Sequence, residues 1–382
     1  SEVPVVLSNQ CSGRSRSCDY CRSACPVNAV FDAGQTVMIN DRTCIECGAC
    51  ARECPIGAIQ CPSITDAQIA AMLNTLSGEE FEQNERALLL TCPIGYARLS
   101  DEAEKGERLD NGIVTAQIPC VASIGSTHYL WAASLQVPLV TVCPDISCKK
   151  AQAMLPLHRH VASSRNLLKT LTEDRSSMIH HLSLTTQDGF VDSISRTIDL
   201  SSPTGKLTNL SGVSRRDITL NAVRRLRIAS DEVVPSEGNA LPLFDLEVDD
   251  AKCIFCKLCE RDCPDRAIEL TENEHSVNLM FDPASCGGCM ICERNCPVQA
   301  IRVSRLGRLS LILNENKVKK ASDEKVKCEN CGTSLGSKRN LTRLRTKLSA
   351  QGATEAVLRT LSICGQCKAY ALVRGSGQDP LS

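Results

Sequence analysis

Aromatic side chains are scarce in this chain, 3% of 382 residues, with one Trp, four Tyr and six Phe. Little is left on which to stack bases, so nucleic acid is not expected as a partner. No uninterrupted apolar run approaches the roughly 18 residues of a membrane span. The first residues, Ser1-Glu2-Val3-Pro4-Val5-Val6-Leu7-Ser8, have neither a basic start nor an apolar stretch of signal length. The Ser214-Arg215-Arg216-Asp217-Ile218 segment looks superficially like a twin-arginine export signal. It is internal, however, and leads into Asn221, Arg224, Arg225 and Arg227 rather than an apolar stretch. A soluble, cytoplasmic chain is therefore expected. Also missing are a Gly-x-Gly-x-x-Gly dinucleotide loop, a Gly-Lys-Ser or Gly-Lys-Thr phosphate loop and a Cys-x3-Cys-x2-Cys radical motif, so no residue is assigned to catalysis.

Net charge is close to zero: 43 Lys and Arg face 44 Asp and Glu, for a formal charge of -1. The distribution is uneven, with residues 302–347 rich in Lys and Arg and residues 231–274 rich in Asp and Glu. Two solvated faces are the plain reading; docking to an oppositely charged redox partner is the sharper one.

What the chain has in abundance is cysteine, 25 residues. Disulfide frameworks belong mostly to short secreted chains, so these thiols are assigned to metals. The hexapeptide Cys-Pro-x-x-Ala-Val/Ile recurs, starting at Cys25, Cys54, Cys263 and Cys296. Three copies close a full Cys-x2-Cys-x2-Cys-x3-Cys-Pro run, the spacing of a 4Fe-4S site in which three thiolates hold one cluster and the fourth reaches its neighbour.

Residues 253–296 closely resemble a bacterial two-cluster ferredoxin. Crossing over the fourth ligands gives one site on Cys253, Cys256, Cys259 and Cys296, and another on Cys286, Cys289, Cys292 and Cys263. The N-terminal module is regular in its second half, Cys44, Cys47, Cys50 and Cys54-Pro55. In its first half, Ser12-Gly13-Arg14-Ser15-Arg16-Ser17 separates Cys11 from Cys18. A polar insert can loop out, so the expected sites are Cys11, Cys18, Cys21 and Cys54, and Cys44, Cys47, Cys50 and Cys25. Cys61, followed by Pro62, is a nearby substitute for Cys11.

Between the modules, short apolar strands alternate with helical stretches, the pattern of a parallel α/β unit. Residues 87–91 run into Cys92, residues 113–119 into Cys120 and residues 138–142 into Cys143, with Cys148 on the turn into the next helix. Carboxyl ends of parallel strands line one crevice. Four thiolates there suit a 2Fe-2S cluster or a zinc ion. The arrangement over residues 87–150 resembles the delta subunit of methyl-viologen-reducing (coenzyme F420-non-reducing) hydrogenase. That resemblance implies a 2Fe-2S cluster on Cys92, Cys120, Cys143 and Cys148. It also implies electron passage between a hydrogenase or formate dehydrogenase and heterodisulfide reductase.

Near the C-terminus, Cys328-x2-Cys331 and Cys364-x2-Cys367 form two knuckles with no proline after either. One structural zinc is expected there, with a rubredoxin-like iron or a fifth 4Fe-4S cluster as alternatives. These assignments use every cysteine except Cys61. His158 with His160 and His180 with His181 lack a cysteine or carboxylate at ligand spacing and read as solvated or packing histidines.

The expected fold is a multidomain α+β and α/β chain. Its parts are a ferredoxin module at 1–64, a small parallel α/β iron-sulfur domain at 65–155, a connecting region at 156–245, a second ferredoxin module at 246–304, a basic linker at 305–325 and a zinc-ribbon-like module at 326–382. The expected role is a non-catalytic, polyferredoxin-like electron-transfer subunit with four 4Fe-4S clusters, one 2Fe-2S cluster and one zinc. Its partner subunit would carry nickel, molybdenum or tungsten, or flavin. The alternatives are an iron-sulfur reductase acting at the 92/120/143/148 site, and a redox-sensing or assembly factor.

Overall fold

The computed structural model describes residues 2–11, 17–78, 86–144, 147–172, 175–184, 189–198, 214–226, 241–305 and 317–374. The chain forms two compact units, one of Ser1–Phe244, Gly287–Cys289 and Arg305–Asn314, the other of Asp245–Cys286, Met290–Ser304 and Glu315–Ser382. Both mix helix and sheet.

The first unit is built around a four-stranded parallel sheet in the order Ile113–Gln117, Ala87–Thr91, Leu139–Cys143, Ile179–Ser183. The two inner strands are buried along their whole length, which is why they are mostly apolar and do not alternate, with the buried Thr91 and Thr141 as their polar positions. Three strands lie where the sequence placed them. The fourth comes from the stretch read as a connecting region, so the α/β layer expected over 65–155 also draws on 156–245. That strand, Ile-His-His-Leu-Ser, is short and half polar and carries no strand signal of its own. His181 Nδ1 lies 2.9 Å from the Thr141 hydroxyl and His180 Nδ1 lies 2.7 Å from Arg165 Nη2, so these histidines serve the sheet.

Helix Phe190–Thr197 adds Phe190 and Ile194 to a core shared with Leu89, Val140 and Val142. Helix Ser126–Leu135 is buried at every residue and packs against helix Arg215–Arg225, also from the supposed connector. Within the same unit, the N-terminal module pairs Val5–Val6 with Ile59–Gln60 and Val30–Asp32 with Val37–Ile39, and Cys21, Cys50, Cys54 and Cys61 share one small core with Val30, Val37 and Ile59.

In the second unit a hairpin of Ile268–Glu272 and Ser276–Phe281 extends through Val318–Lys327 to Ser334–Ser337 as one antiparallel sheet. The segment expected as a basic linker thus contributes a ten-residue strand. Part of the basic charge here and on the following helix is paired with acidic residues. Lys317 pairs with Glu269, Lys320 with Asp245 at 2.6 Å and Arg339 with Asp250 at 3.3 Å, so the basic and acidic blocks partly neutralise each other. Among the described residues, no helix is long and apolar enough to cross a membrane.

Candidate metal centres

The four Cys-Pro copies share one local geometry. The residue three positions after each cysteine is left-handed: Asn28 (φ 52°), Gly57 (φ 69°), Arg266 (φ 51°) and Gln299 (φ 50°). This turn brings the next amide back onto the sulfur. The N–H of Ala29 donates to Cys25 Sγ (3.1 Å), Ala58 to Cys54 (3.2 Å), Ala267 to Cys263 (3.3 Å) and Ala300 to Cys296 (3.2 Å). Those alanines are nearly fully buried.

The three regular loops repeat a second signature, a left-handed residue on each side of the middle cysteine. These are Glu46 and Gly48 around Cys47, Phe255 and Lys257 around Cys256, and Gly288 and Met290 around Cys289. A backbone that curls this way exposes its amides to an anion on the concave side. The Glu46 N–H, for example, donates to Cys44 Sγ at 3.4 Å.

The irregular first half is brought together in space. Cys11, at the end of helix Ser8–Cys11, lines one cavity with Cys18, Cys21 and Cys54, among Val37, Ile56 and Ile59. The insert itself, residues 12–16, lies outside the described residues. Cys61 does not line that cavity. It is buried beside Gly48, within electrostatic reach of Cys47 and Cys120.

Burial pushes Cys18, Cys21 and Cys259 up to about 12, reinforced by neighbouring cysteines, and Cys50 well above its ordinary value. Such thiols are protonated at neutral pH until a metal takes the proton's place, so loading these sites releases protons. The donor sets fit 4Fe-4S clusters, each of which would store one electron.

At the strand ends, Cys92 caps helix Pro93–Glu104, Cys120 precedes the turn Val121–Ser123 and Cys143 ends its strand. With Cys148 they line one cavity of 280 Å³, together with Pro119, Lys149, Lys150 and Met154. The sheet order puts Cys92 just past the end of a central strand, between the strands leading to Cys120 and Cys143, where the connections diverge to either side.

The C-terminal quartet is tighter. Among the described residues, Cys328, Cys331, Cys364 and Cys367 form the one group of three or more His, Cys, Asp or Glu with ligand atoms all within 4.8 Å of one another. The Cys364 amide donates to Cys328 Sγ (3.2 Å), and such backbone bonds lower the Cys328 thiol to about 6. This is the spacing of ligands around a single ion. The strand-end sulfurs do not close to it.

Two residues that brace the cysteine loops had no metal-type signature in the sequence. Arg215 forms a buried bidentate pair with Asp66 (2.6 and 2.8 Å) and donates to the carbonyls of Ala51, Arg52 (3.0 Å) and Cys54 (2.9 Å). It thereby caps the C-terminal end of helix Ala49–Glu53, which carries Cys50. The only local hint was the Ser214-x-x-Asp217 capping box that starts its helix. Lys150 reaches the carbonyls of Glu46 (3.1 Å) and Pro119 (3.4 Å).

Comparison with known proteins agrees with the ferredoxin geometry. Residues 252–300 match the 4Fe-4S dicluster domain family and residues 37–60 the 4Fe-4S binding domain family. The chain is 34% identical over 105 residues to a tetrathionate reductase subunit of Archaeoglobus fulgidus, covering 27% of this chain and 47% of that protein. It is 45% identical over 57 residues to an uncharacterized ferredoxin of Methanocaldococcus jannaschii, covering 15% of this chain and 31% of the other. A ferredoxin of Rickettsia felis is 35% identical over 60 residues, 15% of this chain and 51% of its own length. The chain thus spans about half or less of these relatives. Residues 37–60 and 252–300 are thus ferredoxin-type 4Fe-4S domains, in a chain similar over part of its length to a tetrathionate reductase subunit.

Proposed function

We propose that this chain is the electron-carrying subunit of a cytoplasmic multi-subunit oxidoreductase of the hydrogenase, formate dehydrogenase or heterodisulfide-reductase type. It would carry four 4Fe-4S clusters on the ferredoxin cysteines, one 2Fe-2S cluster on Cys92, Cys120, Cys143 and Cys148, and one zinc on Cys328, Cys331, Cys364 and Cys367. The observation that carries the reading is the fourfold repetition of the Ala N–H to Cys Sγ bond, which gives each Cys-Pro copy the same thiolate-stabilising environment. The clusters would supply one-electron storage. The chain's own residues hold thiolates, exclude water and direct amides at the sulfurs. The 280 Å³ cavity at the strand ends, wider than a one-ion site, supports a polynuclear cluster there. The wealth of thiols in that role suits a reducing compartment. Substrate chemistry is assigned to a partner subunit.

Metal analysis of the anaerobically purified chain tests the reading, with about 18 irons and one zinc expected. Cys143→Ser should remove about two irons and the binuclear electron-spin signal while the 4Fe-4S signals persist. An iron content near 8 would refute the four-cluster count, and an unchanged binuclear signal in Cys143→Ser would refute the strand-end assignment.

A further inference from the structure

The second cysteine loop of the N-terminal module is pressed against the strand-end site. Gly48 has φ +73°, and a Cβ on it would come within 2.6 Å of Ser123 Cβ and 3.0 Å of Cys61 Sγ, so the loop lies directly on the turn that follows Cys120. Arg52, on the helix that carries Cys50, donates to the carbonyls of Ala122 (2.6 Å) and Ala153 (3.1 Å) and fastens that helix to the same turn. The third fastening is Lys150. One of its acceptors, the Glu46 carbonyl, lies between Cys44 and Cys47; the other, the Pro119 carbonyl, immediately precedes Cys120. Lys150 also lines the strand-end cavity. Its charge therefore faces two cysteine sites at once.

We infer that Lys150 is the shared counter-ion of two adjoining redox sites, Cys25/Cys44/Cys47/Cys50 and Cys92/Cys120/Cys143/Cys148, and so holds the potentials of both upward together. The inference rests on the cluster assignment proposed above. Each site gains one negative charge on accepting one electron, and a fixed cation between them stabilises both reduced forms. Lys150 is half-buried, so water screens it only in part. It acts through the sites rather than on a substrate, which makes it a positioning residue.

The test is an electron-spin-monitored redox titration of the full anaerobic chain as wild type, Lys150→Met, Lys150→Gln and Lys150→Arg. In Lys150→Met and Lys150→Gln the binuclear signal and one 4Fe-4S signal should titrate at more negative potential, with the other signals and the iron content unchanged. Lys150→Arg keeps the charge and should leave both near the wild-type position. Unmoved potentials in Lys150→Met at full iron content overturn the inference and leave the cluster assignment standing. Loss of the strand-end cluster in all three variants, Arg included, also overturns it, since packing and not charge would then be what Lys150 supplies. A wild-type chain without a binuclear signal overturns the assignment beneath and the inference with it.

Discussion

Replacing Arg215 with Met should cost the first unit about 3–5 kcal/mol, the usual toll of stranding one member of a buried ion pair. The guanidinium and the Asp66 carboxylate are both almost fully buried. Burial pushes the Asp66 carboxyl up, but Arg215, with His128 3.0 Å away, more than offsets this and holds it well below the usual carboxylate range. Without Arg215, Asp66 keeps His128 and the Gln60 amide (2.8 Å), while the carbonyls of Ala51, Arg52 and Cys54 lose a donor. The carboxylate's escape is to take up a proton. At pH 7 that costs about 1.4 kcal/mol for each unit above its ordinary value near 4, hence about 4 kcal/mol, within the same range. The equilibrium constant for unfolding should then rise by about two to four powers of ten. Trp131 is the only Trp in the chain. It is fully buried on the helix that packs against the Arg215 helix. Its fluorescence during anaerobic guanidinium unfolding reports on this part of the molecule. The double variant Asp66→Leu/Arg215→Met should recover a large share of the loss, since no charge is left stranded. A loss below about 1 kcal/mol in Arg215→Met, or strict additivity in the double variant, would refute the argument.

Three further outcomes can be checked. Burial lowers His160 to about 4 despite Glu53 at 2.8 Å, and burial with His158 lowers His181 to about 4. Both are neutral when folded, so the stability they contribute is complete above about pH 6.5 and is lost as pH falls toward 4. The Trp131-monitored free energy should decline over that window, and less steeply in His160→Gln. Gly48→Ala should destabilise the first unit more than Gly34→Ala. Both glycines have positive φ, a cost of about 1–2 kcal/mol for an alanine, but a Cβ meets Ser123 at 2.6 Å in the first case and nothing within 4 Å in the second. Equal losses on denaturant titration would contradict the close approach. Cys331→Ser should release zinc from the 4.8 Å quartet and leave iron content unchanged; loss of iron instead would identify an iron site.

What could be settled from the residues alone is local. A cluster ligand set is written in spacings of two or three residues, and the turn that carries it is set by the same few residues. The recurring Cys-Pro hexapeptide, the 4Fe-4S character of residues 37–60 and 252–300 and the three strands leading to Cys92, Cys120 and Cys143 were therefore legible without coordinates. The tertiary structure decided everything that depends on distant parts of the chain meeting. Asp66 and Arg215 are 149 residues apart and Lys150 lies 104 from Glu46, and neither pairing leaves a mark in local composition. The strand Ile179–Ser183 is the edge strand of the sheet, paired with Leu139–Cys143, and that pairing specifies it more than its own half-polar side chains do. The basic stretch read as a linker is held as a strand in the same way, next to the apolar strand Ser276–Phe281. Cys61 shows the division most plainly: spacing offered it to the Cys11 site, and packing put it beside Gly48 instead.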